Sequence, residues 1–207
     1  MVLMICGIDE AGRGPVIGPM VICGILIGKE DIERLRKLGV KDSKLLSPSR
    51  REMLERLIKG VARRYEFVRI SPEEIDRERE RRSLNDFEAE KFGYLISRLK
   101  PSEVYIDSVD PNPRKFMDRI FQYTEHRPKR IVVENFADRK YIPVAAASIL
   151  AKVERDRLVD ELRRRFGDFG SGYPSDPRTI SFLREWKKVH GEFPNFVRKS
   201  WETLKNI

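Results

Sequence analysis

An apolar run followed by two acidic residues and a glycine-rich turn lies near the start of the chain, and it restricts the fold more than any other stretch. The run Val2 to Cys6 has the length and content of a buried strand, and Asp9 and Glu10 stand where that strand is expected to end. In the turn that follows, Gly12 and Gly14 permit backbone dihedrals that other residues avoid and let a ligand approach backbone amides. Two carboxylates on a rigid support, beside a turn that carries a cation, predict a divalent metal next to a phosphate chain.

The remaining apolar pattern predicts an α/β fold, a mixed sheet with helices packed on it. A second apolar run, Met20 to Ile27, follows the turn after a handful of residues and suits antiparallel pairing with the first. Further strands are predicted at 65–70, 103–107 and 130–133. Helices are predicted at 32–38, 48–62, 84–99, 113–123, 144–166, 177–189 and 196–205, with one more beginning at 71. We expect a single domain, 1–207, in which roughly 175–207 forms a C-terminal helical extension.

Acidic residues occupy one structural position three times along the chain. Besides Asp9 and Glu10, Asp107 ends a predicted strand and Asp138 lies a few residues beyond the end of another. Taken alone, Asp107 is as typical of a turn cap, and Asp138 of the start of a loop, as either is of a metal ligand. If the strand ends are neighbours in one sheet, however, four carboxylates converge.

A cluster of four carboxylates requires protons or cations, because each close pair repels by about 4 kcal/mol near a protein surface. Ligands that are all oxygen suit magnesium or manganese rather than zinc. Such ions lower the pKa of an attacking water and stabilise the leaving oxygen of a phosphoryl displacement. The acidic residues therefore favour a phosphodiester hydrolase.

Composition favours a polyanionic partner and a reducing compartment. The 42 lysines and arginines exceed the 33 acidic residues, giving a net charge of +9, which indicates nucleic acid first and an anionic membrane surface second. Charged residues make up 36% of the chain and glutamine occurs once, at Gln122, a composition typical of a hot environment. Cys6 and Cys23 lack C-x-x-C spacing, and no stretch is long enough to span a bilayer, so we expect a cytoplasmic protein.

Other chemistries lack the residues that they need. The two histidines, His126 and His190, stand in polar surroundings and offer no catalytic triad. Gly12, Gly14 and Gly18 loosely match a dinucleotide-binding fingerprint, but the spacing is wrong and a strand follows instead of a helix.

Six motifs in the order of one family span most of the chain. They are GIDEAGRGP at 7–15, KDSK at 41–44, YID at 105–107, AD at 137–138, AAASILAK at 145–152 and GSGYPSD at 170–176. Together they closely resemble ribonuclease HII, and the archaeal form most.

This resemblance implies a ribonuclease H-like fold and a metal-dependent endoribonuclease. The expected substrates are RNA/DNA hybrids and single ribonucleotides embedded in duplex DNA, cut to leave 3′-hydroxyl and 5′-phosphate ends. By motif, Asp9, Glu10, Asp107 and Asp138 correspond to the carboxylates that bind Mg²⁺ or Mn²⁺. Asp9 would bridge the ions, and the other three would each ligate one ion or position water.

The resemblance also assigns residues to the substrate. Gly12, Arg13 and Gly14 correspond to the turn that reads the 2′-hydroxyl, the group that separates RNA from DNA. Tyr173 corresponds to the tyrosine that stacks at the ribose-to-deoxyribose step.

Three further residues are assigned to phosphate or backbone contacts, with other roles left open. They are Lys44, Asn85 and Ser148. A surface role for Lys44 and a buried packing role for Ser148 are close alternatives.

The chain end bears on partners. Residues 200–207 lack the glutamine-led aromatic motif by which some archaeal relatives dock on the sliding clamp, so clamp binding is doubtful and Trp201 is assigned to packing. Separately, we expect a monomer. Two rivals remain: a non-enzymatic nucleic-acid-binding protein that kept the fold, and a metal nuclease of the same fold that cuts DNA junctions. The complete set of carboxylates argues against the first, and the 2′-hydroxyl reader against the second.

Overall fold

The computed structural model describes residues 3–41 and 43–207, and the predicted strand start at Val2 and the loop residue Asp42 lie outside them. The strands are β1 (Met4–Ala11), β2 (Met20–Gly28), β3 (Arg64–Ile70), β4 (Glu103–Asp107) and β5 (Arg130–Glu134). The α-helices of the described residues are α1 (Asp31–Lys37), α2 (Pro48–Val61), α3 (Pro72–Arg79), α4 (Leu84–Leu99), α5 (Pro113–Ile120), α6 (Ile142–Phe166) and α7 (Pro177–His190).

The strands form one five-stranded mixed sheet in the order β3-β2-β1-β4-β5, which confirms the predicted fold class. β1 pairs antiparallel with β2, whereas β1 with β4, and β4 with β5, pair parallel. All nine residues of β2 are buried, as expected for a strand with both faces covered. Because β1, β4 and β5 run in one direction, their carboxyl ends lie at the same edge of the sheet.

Local signals explain where the helices begin. Ser47 and Ser71 accept a hydrogen bond from the backbone N–H of Arg50 and Glu74, and a proline opens each of the helices α2 and α3. Asp176 caps α7 in the same way, and α7 ends at Gly191, which adopts the left-handed conformation.

The chain divides into two compact units, each with an interior of its own. The first comprises Met1–Ala11, Val21–Val68 and Asn85–Val153 and contains most of the sheet; the second comprises Gly12–Met20, Arg69–Leu84 and Glu154–Ile207. In the first, Gly7 lets β1 approach the start of α6, where an added Cβ would lie 2.1 Å from the carbonyl carbon of Pro143. The core of the second is an apolar cluster that includes Val16, Phe169 and Leu183. The expected single domain stays a prediction.

The predicted helix at 196–205 is wrong in its first half. Backbone N–H groups that a helix would use internally are bonded elsewhere: Arg198 donates to the carbonyl of Val16, and Lys199 and Ser200 donate to the carboxylate of Asp76. Only the last turn is helical, a 3-10 helix at Glu202–Asn206. Among the described residues, no helix is both long and apolar enough to cross a bilayer.

Candidate active site

Three of the predicted carboxylates meet at the edge of the sheet where β1, β4 and β5 end. Asp9 lies near the end of β1, Asp107 is the last residue of β4, and Asp138 lies in a 3-10 helix, Ala137–Arg139, that follows β5. One carboxylate oxygen from each lies within 4.8 Å of the others. Asp9 is 4% and Asp138 2% exposed, so two of the three charges are removed from water.

The backbone after β5 returns Asp138 toward β4. Phe136 adopts a left-handed conformation with φ of 60°, which a bulky residue rarely adopts and which reverses the chain just before the 3-10 helix. The N–H of Ala137 then donates to Oδ1 of Asp107 at 2.8 Å. This hydrogen bond fixes the carboxylate of Asp107 next to the turn that carries Asp138.

Burial and mutual repulsion disfavour the charged forms of these carboxylates. Burial, and then repulsion from Glu10, raise the pKa of Asp9 well above its usual range. Burial, and then the charge of Asp9, raise the pKa of Asp107 to about 7. Oδ1 of Asp138 is buried and has no hydrogen-bond partner among the described residues. A hard divalent cation fits these residues, because it satisfies buried carboxylate oxygens and removes their mutual repulsion.

A lysine and two serines support Asp9 from the interior. The hydroxyl of Ser148 hydrogen-bonds the carboxylate of Asp9 and lies 2.9 Å from the hydroxyl of Ser43. The ammonium of Lys152 donates to both serines, at 3.1 Å to Ser148. Burial lowers the pKa of Lys152, and the charge of Asp9 opposes that shift.

This network changes the interpretation of Ser148 and adds residues that the sequence did not single out. Ser148 has no exposed surface, as its alternative buried role requires, and its assignment to a phosphate or backbone contact stays a prediction. Ser43 and Lys152 were not candidates. Both residues lie within motifs of the sequence, Ser43 in that at 41–44 and Lys152 in that at 145–152, and Lys152 stands four residues after Ser148 on one helix. Nothing in the sequence indicates that Ser43 meets Ser148, 105 residues later.

The other candidates of the first unit stand in different surroundings. Lys44 is half exposed, and its ammonium lies 3.6 Å from Oδ2 of Asp138. Glu10 is not among the three clustered carboxylates, although its charge acts on Asp9. The side-chain amide of Asn85 donates to Asp110, a residue outside the cluster. The roles assigned to these residues stay predictions.

The second unit holds the glycine turn and Tyr173. At Gly12, φ is +85° and a Cβ would lie 2.6 Å from Nε of Arg155, so a glycine is required there. A Cβ at Gly14 would lie 3.3 Å from the ring of Tyr173, which is 41% exposed. The guanidinium of Arg155 lies 5.9 Å from the centroid of that ring, and burial lowers the pKa of Arg155. The unit thus combines bare backbone with a partly exposed aromatic ring.

Comparison with known proteins identifies the family. Residues 6–204 match the family model described as Ribonuclease HII. The chain belongs to the ribonuclease HII family. Ribonuclease HII of Thermococcus sibiricus is 50% identical over 203 residues, covering 97% of this chain and 89% of that protein. Ribonuclease HII of Pyrococcus horikoshii is 45% identical over 207 residues, covering 99% and 93%.

Solved structures agree with this assignment. The crystal structure of ribonuclease H2 from Pyrococcus horikoshii matches with a TM-score of 0.92 at 45% identity, over 99% of this chain and 96% of that one. Ribonuclease HII in the PCNA complex from Archaeoglobus fulgidus matches with a TM-score of 0.88 at 47% identity, over 97% and 96%. Members of the ribonuclease HII family are hydrolytic nucleases that cleave the RNA of RNA/DNA hybrids.

Proposed function

We propose that this chain is a divalent-metal-dependent endoribonuclease that cuts the RNA strand of RNA/DNA hybrids and single ribonucleotides embedded in duplex DNA. The products carry 3′-hydroxyl and 5′-phosphate ends. The observation that carries the proposal is the set of carboxylates of Asp9, Asp107 and Asp138 within 4.8 Å of one another, two of them buried.

Asp9, Asp107 and Asp138 would hold the cation, with Glu10 as a further ligand carried over from the family. Bound there, Mg²⁺ or Mn²⁺ supplies an activated water and stabilises the leaving oxygen of a phosphodiester displacement. A distant relative, Bst-RNase HIII, has been crystallised in complex with Mn²⁺, but at 19% identity its likeness to this chain shows the fold alone.

The chain's own residues hold the carboxylates in place. Ser148 and Lys152 fix the carboxylate of Asp9 from the interior, and the N–H of Ala137 fixes that of Asp107. Lys44 brings a half-exposed ammonium beside Asp138, where it can contact a phosphate of the substrate.

Recognition of the ribonucleotide is assigned to the second unit. Gly12, Arg13 and Gly14 present a turn without side chains at its glycines, and Tyr173 presents a ring face suited to a sugar or base. The contacts of this turn with the 2′-hydroxyl are carried over from the family, and so is the part of Asn85 in backbone binding. The net charge of +9 supports binding to a nucleic-acid duplex of any sequence.

Partners and compartment follow the same proposal. We place a monomeric enzyme in the cytoplasm, which two buried free cysteines, Cys6 and Cys23, support. A PCNA complex is known for the Archaeoglobus fulgidus relative.

The test is cleavage of duplex DNA that carries one ribonucleotide, with and without Mg²⁺ or Mn²⁺. We expect a single cut that requires metal, an upstream fragment that a DNA polymerase extends, and a downstream fragment whose 5′-phosphate a phosphatase removes. Asp9→Asn should abolish the cut while duplex binding survives. Asp118→Asn, a carboxylate exposed on α5, is the matched control and should cut at the wild-type rate. Near wild-type turnover by Asp9→Asn, or cutting in the presence of EDTA, contradicts the proposal.

A further inference from the structure

A buried arginine far along the chain binds the glycine turn of the second unit through its backbone. Arg198 has no exposed surface. Its guanidinium donates from Nη2 to the carbonyl of Gly12 at 2.6 Å and from Nη1 to that of Arg13 at 2.9 Å. Its Nε donates to the carbonyl of Gly18 at 3.0 Å. One planar side chain thus holds both ends of the loop that begins at Gly12.

Trp201 continues the same pattern. Its indole Nε1 donates to the carbonyl of Gly14 at 3.1 Å. The centroid of its ring lies 4.9 Å from the guanidinium of Arg198 and 4.6 Å from that of Arg79. Three successive carbonyls of the turn are therefore bonded by two side chains of the C-terminal segment.

These bonds determine where the amides of the turn point. In a trans peptide the C=O and the following N–H point in opposite directions. Because the carbonyls of Gly12 and Arg13 face Arg198, the N–H groups of Arg13 and Gly14 are directed away from it. The next peptide carries no N–H, since residue 15 is proline. Arg198 therefore orients the N–H groups of Arg13 and Gly14.

The segment that carries Arg198 and Trp201 is itself held on two sides. Val197 forms a β-bridge with Ile17, and the N–H of Gly18 donates to the carbonyl of Phe196 at 2.9 Å. On the other side, the carboxylate of Asp76 accepts hydrogen bonds from both the N–H and the hydroxyl of Ser200, at 3.0 and 2.6 Å. The position of Arg198 and Trp201 thus depends on α3, which carries Asp76, as well as on the loop that they bind.

We propose that Arg198 and Trp201 are positioning residues that set the selectivity for a ribonucleotide over a deoxyribonucleotide. This inference rests on the proposed function, in which the turn contacts the 2′-hydroxyl. A hydroxyl is distinguished from a hydrogen by donors and acceptors held at hydrogen-bond distance, so the orientation of the three peptide planes that follow Gly12, Arg13 and Gly14 decides the discrimination. Arg198 holds the first two planes, which carry the N–H donors, and Trp201 holds the third, which fixes the end of the turn. A lysine cannot replace Arg198, because an ammonium is a compact charge and does not span three carbonyls in one plane.

The experiment measures binding selectivity in the Asp9→Asn background, where the substrate is not cut. The quantity is the ratio of Kd for an all-DNA duplex to Kd for the same duplex with one ribonucleotide, by fluorescence anisotropy in Mg²⁺. Arg198→Lys should lower this ratio about tenfold, or to unity where the parent ratio is smaller, since hydrogen bonds to charged groups are the strong ones. Kd for the all-DNA duplex should stay within about twofold of the parent, because contacts to phosphates carry most non-specific binding.

Two further variants separate positioning from stability. Trp201→Phe keeps an aromatic ring beside the guanidinium groups and removes only the bond to Gly14, so it should lower the ratio by about threefold. Arg184→Lys makes the same side-chain change at an exposed position of α7 and should leave the ratio unchanged. Circular dichroism checks that each variant is folded. If Arg198→Lys does not fold, Trp201→Phe alone decides.

The outcomes separate this inference from the function on which it rests. A parent protein without any preference for the ribonucleotide overturns the reading role of the turn, and the positioning role with it. If the parent protein discriminates and Arg198→Lys discriminates equally well, the positioning role alone is overturned. The same holds for Trp201→Phe where Arg198→Lys does not fold. If Arg198→Lys weakens binding of both duplexes equally, Arg198 only stabilises the second unit, and the positioning role is again overturned.

Discussion

Replacing Asp107 by asparagine should stabilise the metal-free protein at alkaline pH. Folding raises the pKa of Asp107 from its ordinary 3.8 to about 7, because the side chain is partly buried and faces Asp9 and Asp138. The folded state therefore disfavours the ionised form. The stability that this carboxyl contributes is complete below pH 3.8 and is lost as the pH rises through about 7. Asparagine removes the charge and can still accept the hydrogen bond from Ala137.

The magnitude follows from the shift and from the distances. A rise from 3.8 to about 7 corresponds to roughly 4 kcal/mol when Asp107 is fully ionised, and partial exposure reduces this to about 2 kcal/mol. Repulsion between two charges within 4.8 Å is of the same order, about 3 kcal/mol at an effective dielectric of about 20. For a chain of this length, about 2 kcal/mol raises Tm by roughly 4 to 8 °C.

The assay is thermal unfolding of wild type and Asp107→Asn in EDTA at several pH values from about 4 to 8. The difference in Tm should be close to zero at the acidic end and reach its full size at the alkaline end. Mg²⁺ or Mn²⁺ should reverse the order, because ligands that bind only the folded state stabilise it and the variant binds them less well. Asp110→Asn is the control of opposite sign: hydrogen bonds from Asn112 and Asn85 lower the pKa of Asp110, so its loss should destabilise the protein at neutral pH. A variant difference that does not change with pH, or a less stable Asp107→Asn protein at pH 8 in EDTA, refutes the reasoning.

Three further substitutions test the support of the site, its reader and its scaffold. Lys152→Met removes the ammonium that holds Ser148, so cleavage should fall by about 10- to 100-fold at limiting metal, with partial recovery in Lys152→Arg; equal metal titrations for Lys152→Met and wild type would contradict this. Tyr173→Ala should slow cleavage at a single embedded ribonucleotide by about 10-fold or more while Tm changes little, and Tyr173→Phe should act like wild type. An unchanged cleavage rate in Tyr173→Ala would show that Tyr173 has only a structural role. Gly7→Ala places a Cβ against the backbone of Pro143 and should lower the free energy of unfolding by about 1 to 3 kcal/mol in calorimetry; an unshifted Tm would mean that the close approach is relaxed.

The sheet and the meeting of its acidic residues were predictable from local pattern. Runs of five to nine residues rich in apolar and β-branched side chains, separated by glycine turns or by helical periods, predict the strands. The parallel pairings place the ends of β1, β4 and β5 at one edge. Asp9, Asp107 and Asp138 could be expected together for that reason. Their burial, and the raised pKa of Asp107 that results from it, could not be expected, because both depend on what covers the edge.

The residues that support the site were not predictable in the same way. Ser148 was identified by motif, but its burial and its contacts with Ser43 and Lys152 appear only in the packed structure. Ser43 and Lys152 meet across 109 residues of sequence, and no periodicity connects them. The stretch before Glu202 has a helical pattern, yet its amides bind Val16 and Asp76 instead. In that stretch, hydrogen-bond partners from distant parts of the chain override the local helix propensity.

By itself, the sequence determined the fold class and the family, and it indicated the three acidic residues that meet, Asp9, Asp107 and Asp138. These follow from short-range pattern: apolar runs, helix caps, and motifs of a few residues in a set order. Only the tertiary structure decided which groups support the chemistry. The lysine and serines behind Asp9, and the arginine that binds the turn at Gly12 from 186 residues away, act through hydrogen bonds whose partners meet only when the chain is packed. Such bonds have directions and distances but no fixed spacing in sequence, so the motifs at 41–44 and 145–152 contain these serines and this lysine without showing what they contact.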